Sequence, residues 1–229
     1  MSETPVAVLF DIDGTLISTG GAGAEAWRRA FTDLYGIPAN IEDVTEAGMP
    51  DQMVVTVTFR HVIGREPEPR EIAALMAKYL EYLPETVAES TSYVVFPGVH
   101  DLLSRLCGSG HLLGLTTGNI EAAAHIKVAR AGLNRFFTFG GYGSDSSNRG
   151  ELTRIAIQRA ATILGAQPAA SYVVGDTPRD IEAAHDAAAI AVGVATGHYT
   201  VEELRSAGAD YVLRTFADDP FPTAAQART

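Results

Sequence analysis

The sequence predicts an α/β fold, in which a Rossmann-like parallel sheet has helices on both faces and carries a small helical cap domain. Short apolar runs alternate with helical patterns from about residue 98 onward, and this alternation is typical of parallel sheets. The stretch between residues 16 and 96 is far longer than the roughly twelve residues that a parallel crossover needs, which indicates an insertion. With 229 residues, of which 46% are hydrophobic, the chain can bury a core of its own.

Short apolar runs are the predicted strands. The first, residues 6–10, stops at a loop with two aspartates and a glycine, as expected of a strand that is buried on both faces. Four later runs have the same character, and the last of them is the weakest. They cover residues 112–116, 171–175, 190–194 and 211–213.

Helical patterns lie between these strands. Residues 120–131 are rich in alanine, and residues 150–164 repeat apolar side chains at helical spacing, so both segments are predicted helices. The predicted buried face of the second helix consists of Leu152, Ile155, Ala156, Ile163 and Leu164.

The insertion is predicted to be a small helical domain. One apolar stripe runs over residues 70–83 and predicts a helix. A second predicted stripe consists of Trp27, Ala30, Phe31 and Leu34. Most of residues 53–59 are β-branched, which favours a strand by propensity and leaves strand and helix both open there. Residues 64–69 contain two prolines and are a predicted loop.

These elements give predicted domain boundaries. Residues 1–17 and 94–229 form the catalytic core domain, and residues 18–93 form the cap domain. The segment after Phe216 has several prolines and aspartates, and we expect it to be an irregular end.

Charge and cysteine usage bear on partners and location. Against 28 Asp and Glu the chain has 17 Lys and Arg, a formal net charge of −11, which argues against nucleic acid or an anionic membrane as a partner. The start of the chain lacks the layout of a signal peptide, and no apolar stretch reaches the ~18 residues of a membrane span. We therefore expect a cytoplasmic protein. Cys107 is the single cysteine, and we expect it to be a small buried side chain.

Asp11 and Asp13 stand directly after the first predicted strand. Ligands of open parallel sheets bind at the carboxyl ends of the strands, and Gly14 permits the bend that lets two carboxylates point the same way. Such oxygen ligands suit a hard cation such as Mg²⁺. The simpler alternative is a turn in which Asp13 or Thr15 caps the next helix, but it leaves the other carboxylate unexplained.

The strand at residues 112–116 is also followed by polar residues. Thr117, Gly118 and Asn119 begin the next predicted helix, where a hydroxyl beside free helix N–H groups can bind phosphoryl oxygens. As an alternative, Thr117 or Asn119 is only a helix cap.

Asp176 follows the strand at residues 171–175. Thr177 and Asp180, with Pro178 between them, match a capping box with proline at the first helical position. Capping accounts for Asp180 but does not require Asp176, which makes Asp176 the more informative candidate.

Together these segments resemble the motifs of the haloacid dehalogenase-like superfamily, which consists mostly of Mg²⁺-dependent phosphatases. The DIDGTL segment that begins at Asp11 is similar to the first motif. Thr117 aligns with the second motif better than Thr116 does, and the GDTPRD segment with Asp176 and Asp180 matches the fourth. Members of the superfamily carry a helical cap between the first and second motifs, where the insertion lies.

The resemblance also implies a third motif, which is a Lys or sometimes an Arg near the start of a helix. Arg149 stands at that place, keeps the positive charge and has a planar fork suited to phosphate. Arg154, one turn further along the helix, is the alternative.

The activity that the resemblance implies is hydrolysis of a phosphate monoester. Asp11 attacks phosphorus and forms an aspartyl-phosphate, while Asp13 acts as general acid and base. Mg²⁺ is held by Asp11, the backbone carbonyl of Asp13 and Asp176, with Asp180 in a supporting role. The implied phosphate-binding residues, of which Thr117 and Arg149 are also catalytic, are Thr117, Gly118, Asn119 and Arg149.

The resemblance to phosphoglycolate phosphatases implies a small phosphorylated metabolite as substrate, of the phosphoglycolate or sugar-phosphate kind, and we expect a monomer or a homodimer. A sugar-phosphate mutase of the superfamily is one alternative, although residues 17–24 contain no His or Lys of the kind that those mutases have there. Met49 lies in a loop resembling one that often touches substrate, and it offers no charge for a second anionic group. A receiver-like phospho-acceptor is the other alternative, but such modules are shorter and have no large insertion.

Overall fold

The computed structural model describes residues 5–218 and 220–222. Its strands are β1 (Ala7–Phe10), β2 (Ile17–Ser18), β3 (Val94–Val95), β4 (Leu112–Thr117), β5 (Gly140–Tyr142), β6 (Ser171–Gly175), β7 (Ile190–Val194) and β8 (Tyr211–Leu213). Its helices are α1 (Ala22–Tyr35), α2 (Asp51–Ile63), α3 (Pro69–Glu89), α4 (Val99–Gly108), α5 (Glu121–Ala129), α6 (Arg149–Leu164), α7 (Pro178–Asp186) and α8 (Val201–Ser206). A parallel sheet of six strands, in the order β5-β4-β1-β6-β7-β8, confirms the predicted α/β fold.

Strand β1 lies inside this sheet, and its side chains point alternately to the two faces. Val8 and Phe10 lie in an apolar core with residues of α4 and α5, whereas Ala7 and Leu9 lie in a second core with residues of α6, α7 and α8. Alternation is a property of every strand, but here both faces are covered, which explains the continuous apolar run. The carboxyl end of β1 therefore lies near the middle of the edge that the carboxyl ends of the parallel strands form.

The insertion leaves and rejoins the sheet domain through a short antiparallel pair, in which Ile17 pairs with Val95 and Ser18 with Val94. Between these strands, α1, α2 and α3 share an apolar core of their own. Trp27 of α1 stacks on Tyr79 of α3, with ring centroids 4.1 Å apart. These helices lie within the predicted cap, whose exact boundaries at residues 18 and 93 stay a prediction.

Residues 53–59 lie in helix α2, which decides between the two possibilities that propensity left open. Val54, Val55, Thr58 and Phe59 are buried, at the spacing of one helical face. Burying this face against the insertion's core outweighs the weak intrinsic preference of β-branched residues for strands.

Three smaller predictions about burial were wrong. Cys107 is exposed because the buried face of α4 ends at Leu106, and the next residue points away from it. Leu34 and Ile163 are 37% and 52% exposed. Both lie in the last turn of a helix, beyond its last buried residue.

No helix or strand follows β8 in the part of the chain that the structure describes, as predicted. Phe216 and Phe221 of this irregular segment are nevertheless buried in the main core. The remainder of the predicted irregular end, residue 219 and residues 223–229, lies outside the described residues. Across the described ranges, every helix is too short or too polar to cross a membrane.

Candidate active site

The turn after β1 places Asp11 and Asp13 at the sheet edge. Asp11 is buried, and its backbone N–H donates to the Val174 carbonyl of β6 at 2.9 Å. Gly14 has a φ of +83°, and a Cβ there would lie 2.3 Å from a carboxylate oxygen of Asp176. Only glycine fits this turn, because the chain adopts a left-handed conformation directly against another carboxylate.

Three buried carboxylates meet at this edge. Asp11, Asp176 and Asp180 each offer one oxygen, and these oxygens lie within 4.8 Å of one another. Thr15 donates a hydrogen bond of 2.9 Å to Asp176. Burial, together with the negative charges of Asp180 and Asp11, raises the pKa of Asp176 to about 8. Such close acidic oxygens suit a divalent cation, which offsets their repulsion and prefers oxygen ligands.

The predicted metal ligands match this cluster in part. Asp11 and Asp176 belong to it, and Asp180, predicted as a supporting residue, is its third member. The Asp13 side chain turns elsewhere, so its predicted contribution is limited to the backbone carbonyl and stays a prediction.

Arg149 is the first residue of α6 and points at the same carboxylates. Its side chain is only 9% exposed, bonds to Asp180 and lies 3.4 Å from an oxygen of Asp11. A third contact, of 3.2 Å, reaches the Gly48 carbonyl of the insertion. Arg154 is exposed and donates to the carbonyl of Asp186. Of the two predicted candidates, the fold brings only Arg149 to Asp11.

Thr117 ends β4 next to these groups. It is fully buried, and its hydroxyl accepts hydrogen bonds from the backbone N–H of Asn119 at 3.3 Å and from the Asn119 amide at 2.8 Å. Thr116 points to the other face, where its hydroxyl pairs with Thr153. Gly118 brings the backbone within reach of Arg149, since a Cβ there would lie 3.2 Å from the guanidinium.

Asp180 has a second, structural contact. The capping box is present as predicted: the Thr177 backbone N–H donates to Asp180 at 3.1 Å, and the Asp180 N–H donates to the Thr177 hydroxyl at 3.3 Å. One oxygen of Asp180 therefore caps the start of α7, while the other faces Arg149. This fixes the position of the carboxylate in the cluster.

Lys127 was missed by the sequence prediction. Its ammonium is buried and donates to Asp13 at 2.7 Å and to the Asn119 side chain at 2.6 Å. Burial alone would lower the pKa of Lys127, but the carboxylates of Asp13 and Asp51 outweigh burial and raise it. A cation in an alanine-rich helix, two turns after Asn119, was the available signal. Lys127 holds the Asp13 side chain beside Thr117.

A loop of the insertion closes over this edge. The buried carboxylate of Asp51 accepts a 2.8 Å hydrogen bond from the Ile120 N–H, and the Asp51 N–H donates to the Gly118 carbonyl at 2.9 Å. Burial raises the pKa of Asp51 to about 6. These bonds seat the start of α2 on the loop that follows β4.

Between the insertion and the sheet edge lies a cavity of about 770 Å³, a size typical of small-molecule sites. From the sheet domain its lining includes Asp11, Asp13, Thr117, Lys127, Arg149 and Asp176.

We expect the metal-free protein to lose stability as the pH rises from about 4 to about 8. Burial raises the pKa of Asp11 to about 7 and that of Asp176 to about 8, from the ordinary 3.8. The folded chain therefore holds more protons than the unfolded chain across this window, so its stability falls as the pH rises. A divalent cation binds the ionised carboxylates, so the stability that it adds to the folded protein should increase toward the upper end of this pH window.

Thermal unfolding with chelator and with Mg²⁺, at about pH 6 and about pH 8, tests this expectation. The gain in Tm from Mg²⁺ should be larger at the higher pH, and the Asp176→Asn variant should lose most of it. A gain that is equal at both pH values, or that survives in this variant, would contradict the assignment of the cation to this cluster.

Comparison with known proteins gives the class of this protein. A family model described as a haloacid dehalogenase-like hydrolase matches residues 6–188. The chain therefore belongs to the haloacid dehalogenase-like hydrolases, as the motifs indicate.

Individual relatives agree with this class. The chain is 30% identical to the probable phosphatase IndB of Dickeya dadantii, over 92% of this chain and 90% of that protein. It is 28% identical to a phosphoglycolate phosphatase of Synechococcus elongatus, over 93% and 94% of the two chains. The crystal structure of CbbY from Rhodobacter sphaeroides with xylulose-(1,5)bisphosphate matches this fold with a TM-score of 0.72 at 22% sequence identity. The match covers 93% of this chain and 95% of CbbY. That last similarity concerns the fold alone.

Proposed function

We propose that this protein is a Mg²⁺-dependent phosphatase that hydrolyses a small phosphorylated metabolite through an aspartyl-phosphate on Asp11. The observation that carries the proposal is the position of Asp11. It lines the cavity, next to the Arg149 guanidinium and two further carboxylates. The phosphatase names of relatives such as IndB support the same reaction.

Asp11 is the nucleophile in this proposal. One of its oxygens attacks phosphorus in line, and the bond between phosphorus and the ester oxygen breaks, which divides hydrolysis into two easier steps. Asp13 gives its proton to the departing alkoxide. It then takes a proton from the water that attacks the aspartyl-phosphate, and such acid–base catalysis contributes ~10²–10⁴ in rate. Lys127 and Asn119 hold Asp13 for both transfers.

The substrate and Asp11 are both anionic, and their repulsion has to be offset. Two unit charges ~4 Å apart interact by ~4 kcal/mol at an effective dielectric constant of about 20. In this proposal Arg149 binds the phosphoryl oxygens, together with the Thr117 hydroxyl. Asp11 and Asp176, with the Asp13 carbonyl, would hold Mg²⁺, and Asp180 also lies in this cluster. When bound, the cation supplies charge neutralisation at the phosphoryl group.

The two alternatives predict different products. A mutase returns the phosphoryl group to another position of the sugar, and a receiver-like module keeps it on the aspartate. A phosphatase releases inorganic phosphate continuously. The proposed location is the cytoplasm, which the single cysteine supports because secreted proteins of modest size often rely on disulfides.

A phosphate-release screen over phosphorylated metabolites tests the proposal. We expect steady release over many turnovers with Mg²⁺, loss of release with chelator, and recovery when Mg²⁺ is restored. One stable phosphorylation per chain would favour the receiver-like alternative. Conversion of a sugar phosphate to its isomer without free phosphate would favour the mutase.

A further inference from the structure

The insertion forms one wall of the cavity, and this wall is neutral to acidic. Among the residues that the structure describes, it contributes no Lys, Arg or His to the lining. Its charged lining residues are Glu42, Glu46 and Asp51, and its neutral ones include Trp27 and Met49. This wall faces the part of a substrate that leaves with the ester oxygen, because the phosphoryl group itself is taken by Asp11.

The cations of the opposite wall already have partners. Lys127 donates to Asp13 at 2.7 Å and to Asn119 at 2.6 Å, and its side chain is only 8% exposed. Arg149 contacts Asp11 and a second carboxylate, at the phosphoryl end of the cavity. Each cation is therefore already paired with a carboxylate that the proposed reaction uses.

His198 is the remaining basic residue of the described lining. It follows Gly197, where a Cβ would lie 1.8 Å from a carboxylate oxygen of Asp176. His198 therefore stands beside the carboxylate cluster, on the sheet side of the cavity. It does not change the charge of the insertion's wall.

We infer that the substrate is a monophosphate ester whose alcohol part carries no negative charge, such as a polyol or a sugar. The inference rests on the proposed phosphatase function and selects between the two substrate kinds that the sequence left open. At the insertion's wall a carboxylate or a second phosphate would be desolvated without a counter-ion and would face Glu42 and Asp51, while Glu46 is already paired with Arg179. A neutral alcohol meets no such cost.

The wall can instead bind hydroxyl groups. The Ser18 hydroxyl accepts a bond from the Gly20 N–H at 3.3 Å, and the Thr45 hydroxyl donates to the Ile41 carbonyl at 2.8 Å. A hydroxyl has one donor and two acceptor positions, so both groups keep capacity toward a ligand. These side chains line the same cavity and suit a polar, uncharged alcohol.

Three alkyl phosphates of the same chain length test this inference: 2-hydroxyethyl phosphate, phosphoethanolamine and phosphoglycolate. They differ in whether the far end is neutral, cationic or anionic. With Mg²⁺ present, kcat/KM for both of the first two should exceed that for phosphoglycolate by at least about tenfold, equivalent to about 1.4 kcal/mol. Equal or preferred hydrolysis of phosphoglycolate would overturn the inference while leaving the phosphatase function intact. If none of the three, nor p-nitrophenyl phosphate, is hydrolysed, the proposed function itself fails and the inference with it.

A charge-introducing variant tests the cause of the preference. Met49 lies on the insertion's wall, and Lys is a flexible side chain of similar length. Met49→Lys should raise kcat/KM for phosphoglycolate relative to 2-hydroxyethyl phosphate by about tenfold, mainly through a lower KM. The neutral Met49→Gln variant should leave this ratio unchanged. An unchanged ratio in a folded and active Met49→Lys protein would contradict the inference, as would an equal shift in Met49→Gln.

Discussion

Replacing Asp11 with Asn is expected to lower phosphate release by on the order of 10⁴-fold or more while the protein stays folded. The carboxamide has the shape of the carboxylate, but its oxygen is too weak a nucleophile to form the acyl-phosphate bond. Asp11 is buried against Arg149 and Asp176, so another side chain cannot take its place without moving. Steady-state phosphate release with Mg²⁺, measured beside the wild-type protein, gives the loss.

Asp101→Asn is the matched control for this variant. Asp101 lies on the exposed face of α4, outside the cavity lining, and its replacement should leave turnover unchanged. Thermal unfolding of all three proteins confirms that each is folded. Wild-type turnover by a well-folded Asp11→Asn protein would exclude Asp11 as the nucleophile.

Asp13→Asn is expected to slow turnover of alkyl phosphates by ~10²–10⁴, the usual contribution of a general acid and base. An alkoxide cannot leave readily without a proton, and the Asn side chain supplies none. With p-nitrophenyl phosphate the leaving group needs no proton, so the first step should continue while the second is slow. We therefore expect a burst of one nitrophenol per chain, followed by slow steady release.

Rapid-mixing absorbance records the burst of the Asp13→Asn variant, and Asp101→Asn again serves as the control. An equal slowing for alkyl and nitrophenyl phosphates, without a burst, would mean that Asp13 does not protonate the leaving group. In that case its bonds to Lys127 and Asn119 would have only a structural purpose.

Continuous apolar runs made the central strands predictable, because a parallel strand covered on both faces has no polar side. Strand β5 lacks this signal. Gly140 and Gly141 form most of it, and a Cβ at Gly141 would lie 1.9 Å from the carbonyl oxygen of Leu152. Close approach of α6 therefore excludes the side chains by which a strand is recognised. Such a requirement arises from tertiary packing and has no local pattern.

The candidate site likewise combines residues that the sequence indicates with residues whose roles depend on tertiary packing. Asp11, Thr117 and Asp176 stand at strand ends, where sequence position alone indicates a site. Lys127 and Asp51 lie within or at the start of helices, and their roles depend on how α5 and α2 pack against the sheet edge. No local pattern distinguishes Asp51 from an ordinary aspartate at a helix start, and the only sequence signal for Lys127 was a cation within an alanine-rich helix.

Mapping the phosphorylated residue tests the central claim most directly. Asp13→Asn protein would be quenched during its reaction with p-nitrophenyl phosphate, reduced with borohydride, which converts an acyl-phosphate of aspartate to homoserine, and sequenced by mass spectrometry. We predict homoserine at position 11 and at no other aspartate. Homoserine at another position, or none despite a burst of nitrophenol, would contradict a mechanism through Asp11.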